Sequence, residues 1–191
     1  MPLPQLIAQS RTCRRFTGEP VPAAMLEAFA DCARLSPSAR NMQPLRYFLV
    51  SSPAQCRSVF SMLTFGGAFT PEQRPTPDQM PGGYIVITGP EKLDMFSVMD
   101  IGIAAQSMLL AAGEAGLGCC MVGAINKPAL AALLNLPEGL EIKLVLAFGV
   151  PAETRKIVGR RPDGSLTYYR NEKDEHCVPK ITLDEAIIGR L

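Results

Sequence analysis

The sequence predicts a mixed α/β sandwich, in which helices flank a mixed sheet. Runs of branched and aromatic residues, which favour strands, alternate along the chain with segments of helical periodicity. The 191 residues, 47 % of them hydrophobic, are typical of one domain with a substantial core. Residues 151–191 contain too few apolar residues for a core of their own. This tail is therefore expected to lie on this subunit or on a partner subunit.

The first half of the chain alternates between helical and extended patterns. Pro22 is suited to the first turn of a helix whose apolar residues continue at helical spacing to Ala33. After a loop rich in proline and serine, the aromatic and branched run at residues 46–51 predicts a strand. Residues 53–63 are predicted to be helical, and residues 84–88 to form a second strand.

Residues 64–83 differ in composition from their surroundings. They contain four prolines and four glycines, so an irregular excursion is predicted. Loops of this length are usually functional lids or mobile segments. We interpret this one as a lid that sets substrate choice, with Phe65 and Phe69 as its contact residues. A loop without any role in selectivity is an equally open alternative.

The second half begins with the clearest helical pattern of the chain. It runs from about Met99 to Ala115 and is apolar on nearly every side, which predicts a central, buried helix. Gly116 is expected to end it. Asn126 is predicted to cap a short helix at residues 128–134, and residues 141–150 to form a third, buried strand.

The composition excludes several classes of protein. Nineteen basic and 18 acidic residues give a net charge of +1. This balance provides no excess of positive charge for binding nucleic acid or an anionic membrane. The longest apolar region, residues 101–125, is interrupted by polar residues and five glycines, so no transmembrane helix is expected. Six cysteines without C-x-x-C spacing and a single histidine predict reduced thiols, a cytoplasmic location and no metal site.

Conventional catalytic patterns are weak. A Ser-His-Asp or Cys-His site would have to use His176, in a segment (residues 174–177) predicted to be solvated, and no nucleophile elbow accompanies it. The glycines at residues 113–118 follow a helix, where they fit a helix end and a turn, not a dinucleotide or phosphate loop.

Three segments are better candidates for a binding site. Residues 10–16 place three arginines beside two hydroxyl side chains, a combination suited to a phosphorylated, polyhydroxylated ligand, although a solvated basic turn is the alternative. In residues 36–44, the carboxamides of Asn41 and Gln43 can bind the edge of a planar heterocycle, or the segment is a polar connector. In residues 118–125, Gly123 would let a flat group approach the backbone.

Together and in this order, the three segments resemble motifs of the FMN-dependent nitroreductase family. Residues 10–16 are similar to its R-R-S-x-R-x-F motif, and residues 37–44 to P-S-x-x-N-x-Q-P. Residues 116–125 are similar to G-L-G-x-C-W-I-G-x-F. The alanine-rich helix, the Leu-Ala-Phe-Gly-Val-Pro run at residues 146–151 and the ending from Tyr168 also resemble short nitroreductase-like proteins, so the similarity covers nearly the whole chain.

The resemblance implies an α+β fold and an interleaved homodimer with FMN at the subunit interface. Arg11, Thr12 and Arg14 would meet the phosphate, ribityl chain and pyrimidine edge, with Arg14 near flavin N1 and O2. The 37–43 segment would come from the other subunit, and the backbone at residues 122–124 would face N5. The implied cofactor-binding residues are Ser10, Arg11, Thr12, Arg14, Pro37, Ser38, Ala39, Asn41, Gln43, Met121, Val122, Gly123, Ala124, His176 and Lys180.

The chain also departs from the family pattern. Ser10 replaces the first arginine of the motif, so a phosphate contact is lost or is supplied by the tail. The tail candidates are Arg160, Arg161, Arg170, His176 and Lys180. Leu45 and Met121 stand where tryptophans are usual, and the protein has no tryptophan, which changes the expected pocket shape and brings the preference for flat aromatic substrates into question.

The implied activity is ping-pong transfer of hydride from NADH or NADPH through FMN to a small oxidant such as a nitro compound or quinone. Two alternatives keep the flavin: a dehalogenase or flavin-cleaving specialisation, and an FMN-binding sensor or store with little turnover. A third is a flavin-free thiol enzyme that uses Cys119 or Cys120. Adjacent cysteines rarely form a relaxed disulfide, so we interpret these two, like Cys13, as packing residues.

Overall fold

The computed structural model describes residues 1–190 and has an α+β architecture, as predicted. The helices, in chain order, are α1 (Leu3–Gln9), α2 (Ala23–Arg34), α3 (Pro53–Ser61), α4 (Met95–Glu114), α5 (Lys127–Leu134) and α6 (Leu183–Ala186). The strands are β1 (Arg46–Val50), β2 (Gly83–Pro90), β3 (Gly118–Val122), β4 (Leu140–Gly149), β5 (Arg155–Val158), β6 (Tyr169–Arg170) and β7 (His176–Pro179).

The main sheet has the strand order β1-β2-β4-β3, and all of its neighbouring strands are antiparallel. A single parallel bridge from Thr12 to Cys119 attaches the N-terminal segment at the β3 edge. A smaller sheet, ordered β5-β7-β6, pairs β5 with β7 in parallel and β6 with β7 antiparallel. The tail therefore has a sheet of its own, which the sequence analysis did not predict.

Strand β2 lies at the centre of the main sheet and is buried on both faces. Successive side chains of a strand point to opposite faces, so Ile85 and Ile87 join one core and Tyr84 and Val86 join the other. The first core lies under α2 and α4, and the second lies under α3 and α5. The predicted strands and helices of the sandwich are thus present, with ends that differ by a few residues.

Helix α4 is less buried than its composition predicts. It begins at Met95, where the carboxylate of Asp94 accepts a hydrogen bond of 2.7 Å from the backbone N–H of Ser97. Its C-terminal half packs on α2 and the sheet, but Phe96 and Met99 are 53 % and 54 % exposed. In the described chain it is the one helix long and apolar enough to cross a membrane. One face of α4 is buried against the domain. The other face is also apolar, but it is exposed in the single chain.

Local signals at the ends of helices are confirmed. Gly116 adopts φ of 77° directly after α4, and the Leu117 N–H donates back to the Ala112 carbonyl. The side chain of Asn126 caps α5 by accepting from the N–H of Ala129. Gly116 supplies the positive φ and Asn126 the side-chain acceptor that these positions need, so the sequence alone identifies them.

The 64–83 segment is irregular, as predicted, but it is packed against the domain. Two short 3-10 turns, Pro71–Gln73 and Pro77–Gln79, are held by glutamine side chains that accept from the backbone N–H of the preceding threonines. Phe65 and Phe69 are buried, at 4 % and 3 % exposure. Whether the segment opens as a lid stays a prediction.

The tail packs partly on its own chain. His176 and Cys177 are buried, so the prediction that residues 174–177 are solvated is wrong for these two, because β7 is the central strand of the small sheet. Residues 181–190 are exposed, and α6 buries none of its residues. The packing of the tail on a partner subunit stays a prediction.

Candidate functional site

A cavity of about 210 Å³ lies where β3 ends beside the beginning of the 64–83 segment. The two walls are joined by a hydrogen bond of 2.9 Å from the Thr64 N–H to the Ala124 carbonyl, and by a bridge between Leu63 and Ile125. The lining residues are Arg14, Thr64, Phe65, Gly66, Gly67, Cys120, Met121, Val122, Gly123, Ala124 and Tyr168. The structure therefore brings the first and third predicted segments together, through Arg14 and residues 121–124.

Small residues form part of the cavity lining: Gly66, Gly67, Gly123 and Ala124. A β-carbon added at Gly67 or at Gly123 would have no heavy atom within 4 Å, so both positions border open space. Gly66 adopts φ of 65°, a conformation that side chains disfavour. A flat group can therefore approach the main chain here, as the sequence analysis expected for Gly123.

Arg14 supplies the charge of the cavity. Its guanidinium carbon lies 4.2 Å from the ring centroid of Tyr168, and its Nη1 lies 3.1 Å from Nε2 of His176. Within residues 1–190, no carboxylate oxygen is within 4.0 Å of this guanidinium. The cavity thus contains a cation that its own chain does not neutralise.

Behind Arg14 lies a buried ionic cluster, which we call the Glu153 cluster: Glu153, Arg170 and His176. The side chains of these three residues are 1 %, 2 % and 0 % exposed. Glu153 pairs with the Arg170 guanidinium and accepts a hydrogen bond from the Arg14 backbone N–H. Burial by itself would raise the pKa of Glu153, but the contacts with His176, the Arg14 N–H and Arg170 outweigh it and lower the pKa to about 2.

This cluster changes the interpretation of two tail residues. His176 and Arg170 were candidates for binding phosphate, but both are buried and already paired within the chain. Glu153 was missed by the sequence analysis. Its one sequence signal is an acidic residue close to the end of the last buried strand, at the start of a basic tail.

Other residues predicted from the first motif lie outside this cavity. Ser10 is 8 % exposed and packs against Gly113 of α4. Arg11 donates to the carbonyl of Ile7, while Arg155 donates to the carbonyl of Arg11. Burial, and then the charge of Arg155, lower the pKa of Arg11. Arg155 is thus an additional phosphate candidate that the sequence analysis did not name.

The remaining tail residues that were named as phosphate candidates differ in their ion pairing and exposure. Arg160 pairs with Glu185, and Arg161 lies 3.8 Å from Asp163. Lys180 is exposed directly after β7, and its backbone N–H donates to Val158. Of the candidates named from the sequence, Lys180 is therefore the cation most open to a ligand.

The second predicted segment lies at a different cavity, of about 450 Å³, between α2, β1 and α4. Asp100 of α4 fixes it by accepting from the Ser38 hydroxyl at 2.6 Å and from the Ala39 N–H at 3.1 Å. The carboxamides of Asn41 and Gln43 bind each other at 2.9 Å. Pro37, Ser38 and Gln43 line this cavity. In the single chain, the second segment does not join Arg14.

The cysteines beside the cavity have the properties of packing residues. Cys119 and Cys120 are buried on opposite faces of β3 and belong to different cores. Burial raises the pKa of Cys120 and of Cys13 to about 12, and that of Cys119 well above its usual value. Such thiols are protonated near neutral pH and are poor nucleophiles, which argues against a thiol enzyme.

Comparison with known proteins finds relatives along most of the chain. A Cr(VI) reductase from Pseudomonas sp. (strain G-1) is 26 % identical over 192 residues, covering 92 % of this chain and 78 % of the relative. A protein named as an NADH dehydrogenase/NAD(P)H nitroreductase from Methanothermobacter thermautotrophicus is 26 % identical, covering 78 % of this chain and 77 % of that protein.

Solved structures share the fold. An FMN-dependent nitroreductase from Clostridium difficile R20291 superimposes with a TM-score of 0.64 at 22 % identity, covering 79 % of this chain and 88 % of that one. A nitroreductase family protein from Clostridium novyi NT gives a TM-score of 0.65 at 21 % identity, covering 79 % and 87 %. The family model described as "Nitroreductase family" matches residues 7–150. This chain therefore belongs to the nitroreductase family.

Proposed function

We propose that the protein is a flavin-dependent oxidoreductase that binds FMN against Arg14 and passes electrons from NADH or NADPH to a small oxidant. The observation that carries the proposal is the guanidinium of Arg14, which has no carboxylate partner within 4.0 Å in residues 1–190 and lines a cavity together with Gly67 and Gly123. Membership of the family and the names of its relatives support the same assignment.

The residues of the cavity fit such a cofactor. Arg14 offers paired donors and a positive charge to the N1 and O2 edge of the flavin, where negative charge collects on reduction. Residues 122–124 present backbone to the ring, and Gly67 leaves space opposite. Bound FMN would supply the redox chemistry, as acceptor of hydride from the nicotinamide and donor of electrons to the oxidant. The protein then needs to bind and orient the reactants and exclude water.

The phosphate end is proposed to lie near Arg11 and Thr12, with Lys180 and Arg155 as the cations that compensate for Ser10. The N-terminal segment that carries Arg11 and Thr12 leads directly to Arg14 along the β3 edge. Arg155 reaches this segment through its hydrogen bond to the Arg11 carbonyl. Burial and then the charge of Arg155 lower the pKa of Arg11, and a phosphate between the two guanidinium groups would relieve the second of these effects.

We propose that the working unit is a cytoplasmic homodimer. One chain supplies a cavity of only about 210 Å³ around Arg14, and the 37–43 segment lies at a separate cavity. A second subunit could bring its own 37–43 segment to the cofactor, as the resemblance implies. The open apolar face of α4, with Phe96 and Met99, is suited to contact between subunits.

Charged substitutions on the exposed apolar face of α4 test the proposed dimer. The double variant Phe96→Asp/Met99→Asp is expected to convert a dimer into a monomer that no longer retains FMN, because two charges would have to be buried in the contact. Light scattering during gel filtration measures the mass, and absorbance measures the flavin. Ala54→Asp, at an exposed position of α3, is the matched control and should remain dimeric. A double variant that is still a dimer with bound FMN would contradict the proposed interface.

The spectrum of the purified protein tests the function. We expect a flavin absorption spectrum, bleached anaerobically by NADH or NADPH and restored by a quinone, a nitroaromatic compound or chromate. Bound flavin that neither nucleotide reduces would instead support the sensor or store alternative. Reduction without reoxidation by these acceptors would favour a dehalogenase or flavin-cleaving specialisation. Protein that takes up no flavin after incubation with FMN would overturn the proposal.

A further inference from the structure

We propose that His176 and Glu153 are positioning residues for Arg14: they hold its guanidinium from behind, through a neutral imidazole whose proton is on Nδ1. Both lie outside residues 7–150, the part matched by the family model. The contacts of His176 and Glu153 with Arg14 are present in the described chain and involve no cofactor. Its consequence for the cofactor rests on the proposed function, in which Arg14 meets the flavin.

The tautomer of His176 follows from the chemistry of its neighbour. Nε2 lies 3.1 Å from Nη1 of Arg14, and an arginine guanidinium can only donate. Nε2 must therefore accept, which leaves the ring proton on Nδ1. Nδ1 lies 3.7 Å from Oε1 of Glu153, so the carboxylate faces this proton. At that separation Nδ1 has no hydrogen-bond partner in the described chain, and the attraction is that of a charge for an N–H dipole.

Glu153 acts on Arg14 from two directions. Its Oε1 accepts from the Arg14 backbone N–H at 2.5 Å, and the same oxygen faces His176, which holds the end of the Arg14 side chain. Arg170 fixes the carboxylate by donating to Oε2 at 2.5 Å. Main chain and guanidinium of Arg14 are thus both tied to one buried carboxylate, which restricts the directions that the guanidinium can take.

Aromatic rings also pack against Arg14 and His176. Tyr168 lies 4.2 Å from the guanidinium carbon of Arg14, close enough for a cation–π contact, and packs edge-on against His176 with centroids 5.5 Å apart. Phe69 packs against both rings, at 4.9 Å from Tyr168 and 5.3 Å from His176. The Tyr168 hydroxyl accepts from the Ala68 N–H, so the 64–83 segment is attached to the same support.

Nuclear magnetic resonance of the imidazole tests the tautomer without any cofactor. The chain has one histidine, so nitrogen-15 labelling of histidine reports on His176 alone. In mildly alkaline buffer, where an ordinary imidazole is neutral, we expect the proton on Nδ1 and a bare Nε2. In Arg14→Ala, Glu153 should still keep the proton on Nδ1, but the Nε2 resonance should move towards that of an imidazole nitrogen that accepts no hydrogen bond. A proton on Nε2 in the parent, or an Nε2 resonance that is unchanged in Arg14→Ala, would overturn the proposal.

A double-mutant cycle tests the consequence for the cofactor. His176→Phe keeps a ring but cannot accept, and we expect it to weaken the preference for reduced over oxidised FMN about tenfold, a shift of about 30 mV in the midpoint potential. In an Arg14→Ala background the same change should have almost no effect. His176→Gln, whose amide oxygen can accept, should restore most of the potential.

The outcomes separate the two proposals. An equal shift from His176→Phe in both backgrounds would show a merely structural histidine and would overturn the positioning role. Parent protein that takes up no FMN would contradict the proposed function, and the resonance experiment on the same protein would still decide the arrangement of His176 and Arg14.

Discussion

Replacing Glu153 with glutamine is expected to lower the free energy of unfolding by about 3 kcal/mol, because it removes the charge that compensates a buried arginine. Arg170 is 2 % exposed at its side chain, and its guanidinium pairs with this carboxylate. In a domain of this size, a loss of 1 kcal/mol lowers the melting temperature by about 2–4 °C. Urea unfolding followed by circular dichroism measures the effect.

The control for this prediction is Glu185→Gln. Glu185 also pairs with an arginine, Arg160, but both side chains are more than 40 % exposed. Exposed ion pairs contribute little to stability, so the control should unfold almost as the parent does. Equal losses in the two variants would contradict the assignment of Glu153 as a buried counter-ion.

The carboxylate of Glu153 also determines the direction in which stability changes with pH. Its pKa is about 2 in the folded protein and has an ordinary value of 4.5. Because the folded pKa is the lower one, the stabilisation is fully present above about pH 4.5 and is lost as the pH falls from there towards 2. Glu153→Gln should therefore lose less stability than the parent across this interval.

Replacing Arg14 with alanine is expected to weaken FMN binding by about 10–100-fold, the usual range for one hydrogen bond to a charged group. Flavin bound to this variant should also be harder to reduce, since the positive charge that we propose to lie beside N1 is gone. Titration of the apoprotein by flavin fluorescence measures the affinity, and anaerobic titration with NADH measures the reduction.

Arg15→Ala is the matched control, since it removes the neighbouring guanidinium. Arg15 pairs with Asp174 and does not line the cavity. We expect it to bind FMN as the parent does, and Arg14→Lys to retain part of the affinity through its charge. Unchanged affinity and reduction in Arg14→Ala would contradict the placement of Arg14 at the cofactor.

Local patterns predicted much of the fold and part of the candidate site. The Asn126 cap and the Gly116 helix end were found because each depends on a few consecutive residues. Arg14 and residues 121–124 were found through short motifs, and the structure brings them to one cavity. Their proposed roles at the cofactor await the experiments above.

The features that were missed depend on distant parts of the chain. Glu153 and His176 contact Arg14 across 139 and 162 positions of sequence, and no local pattern encodes such a pairing. For the same reason His176 was taken as solvated: its charged neighbours suggested exposure, while its burial comes from its place in the central strand of the small sheet and from packing against Phe69 and Tyr168. The open face of α4 was missed because apolar composition alone does not show whether a helix face is buried or exposed.

The long separation between Arg14 and its support also determines when the site can form during synthesis on the ribosome. Arg14 is made early, but its cavity and its orientation depend on Tyr168 and His176, which are made late. Closing contacts across so many residues carries an entropic cost that local structure does not repay. A nascent chain that has already formed its main sheet therefore still lacks the support of Arg14, and the site becomes complete only after the tail has docked.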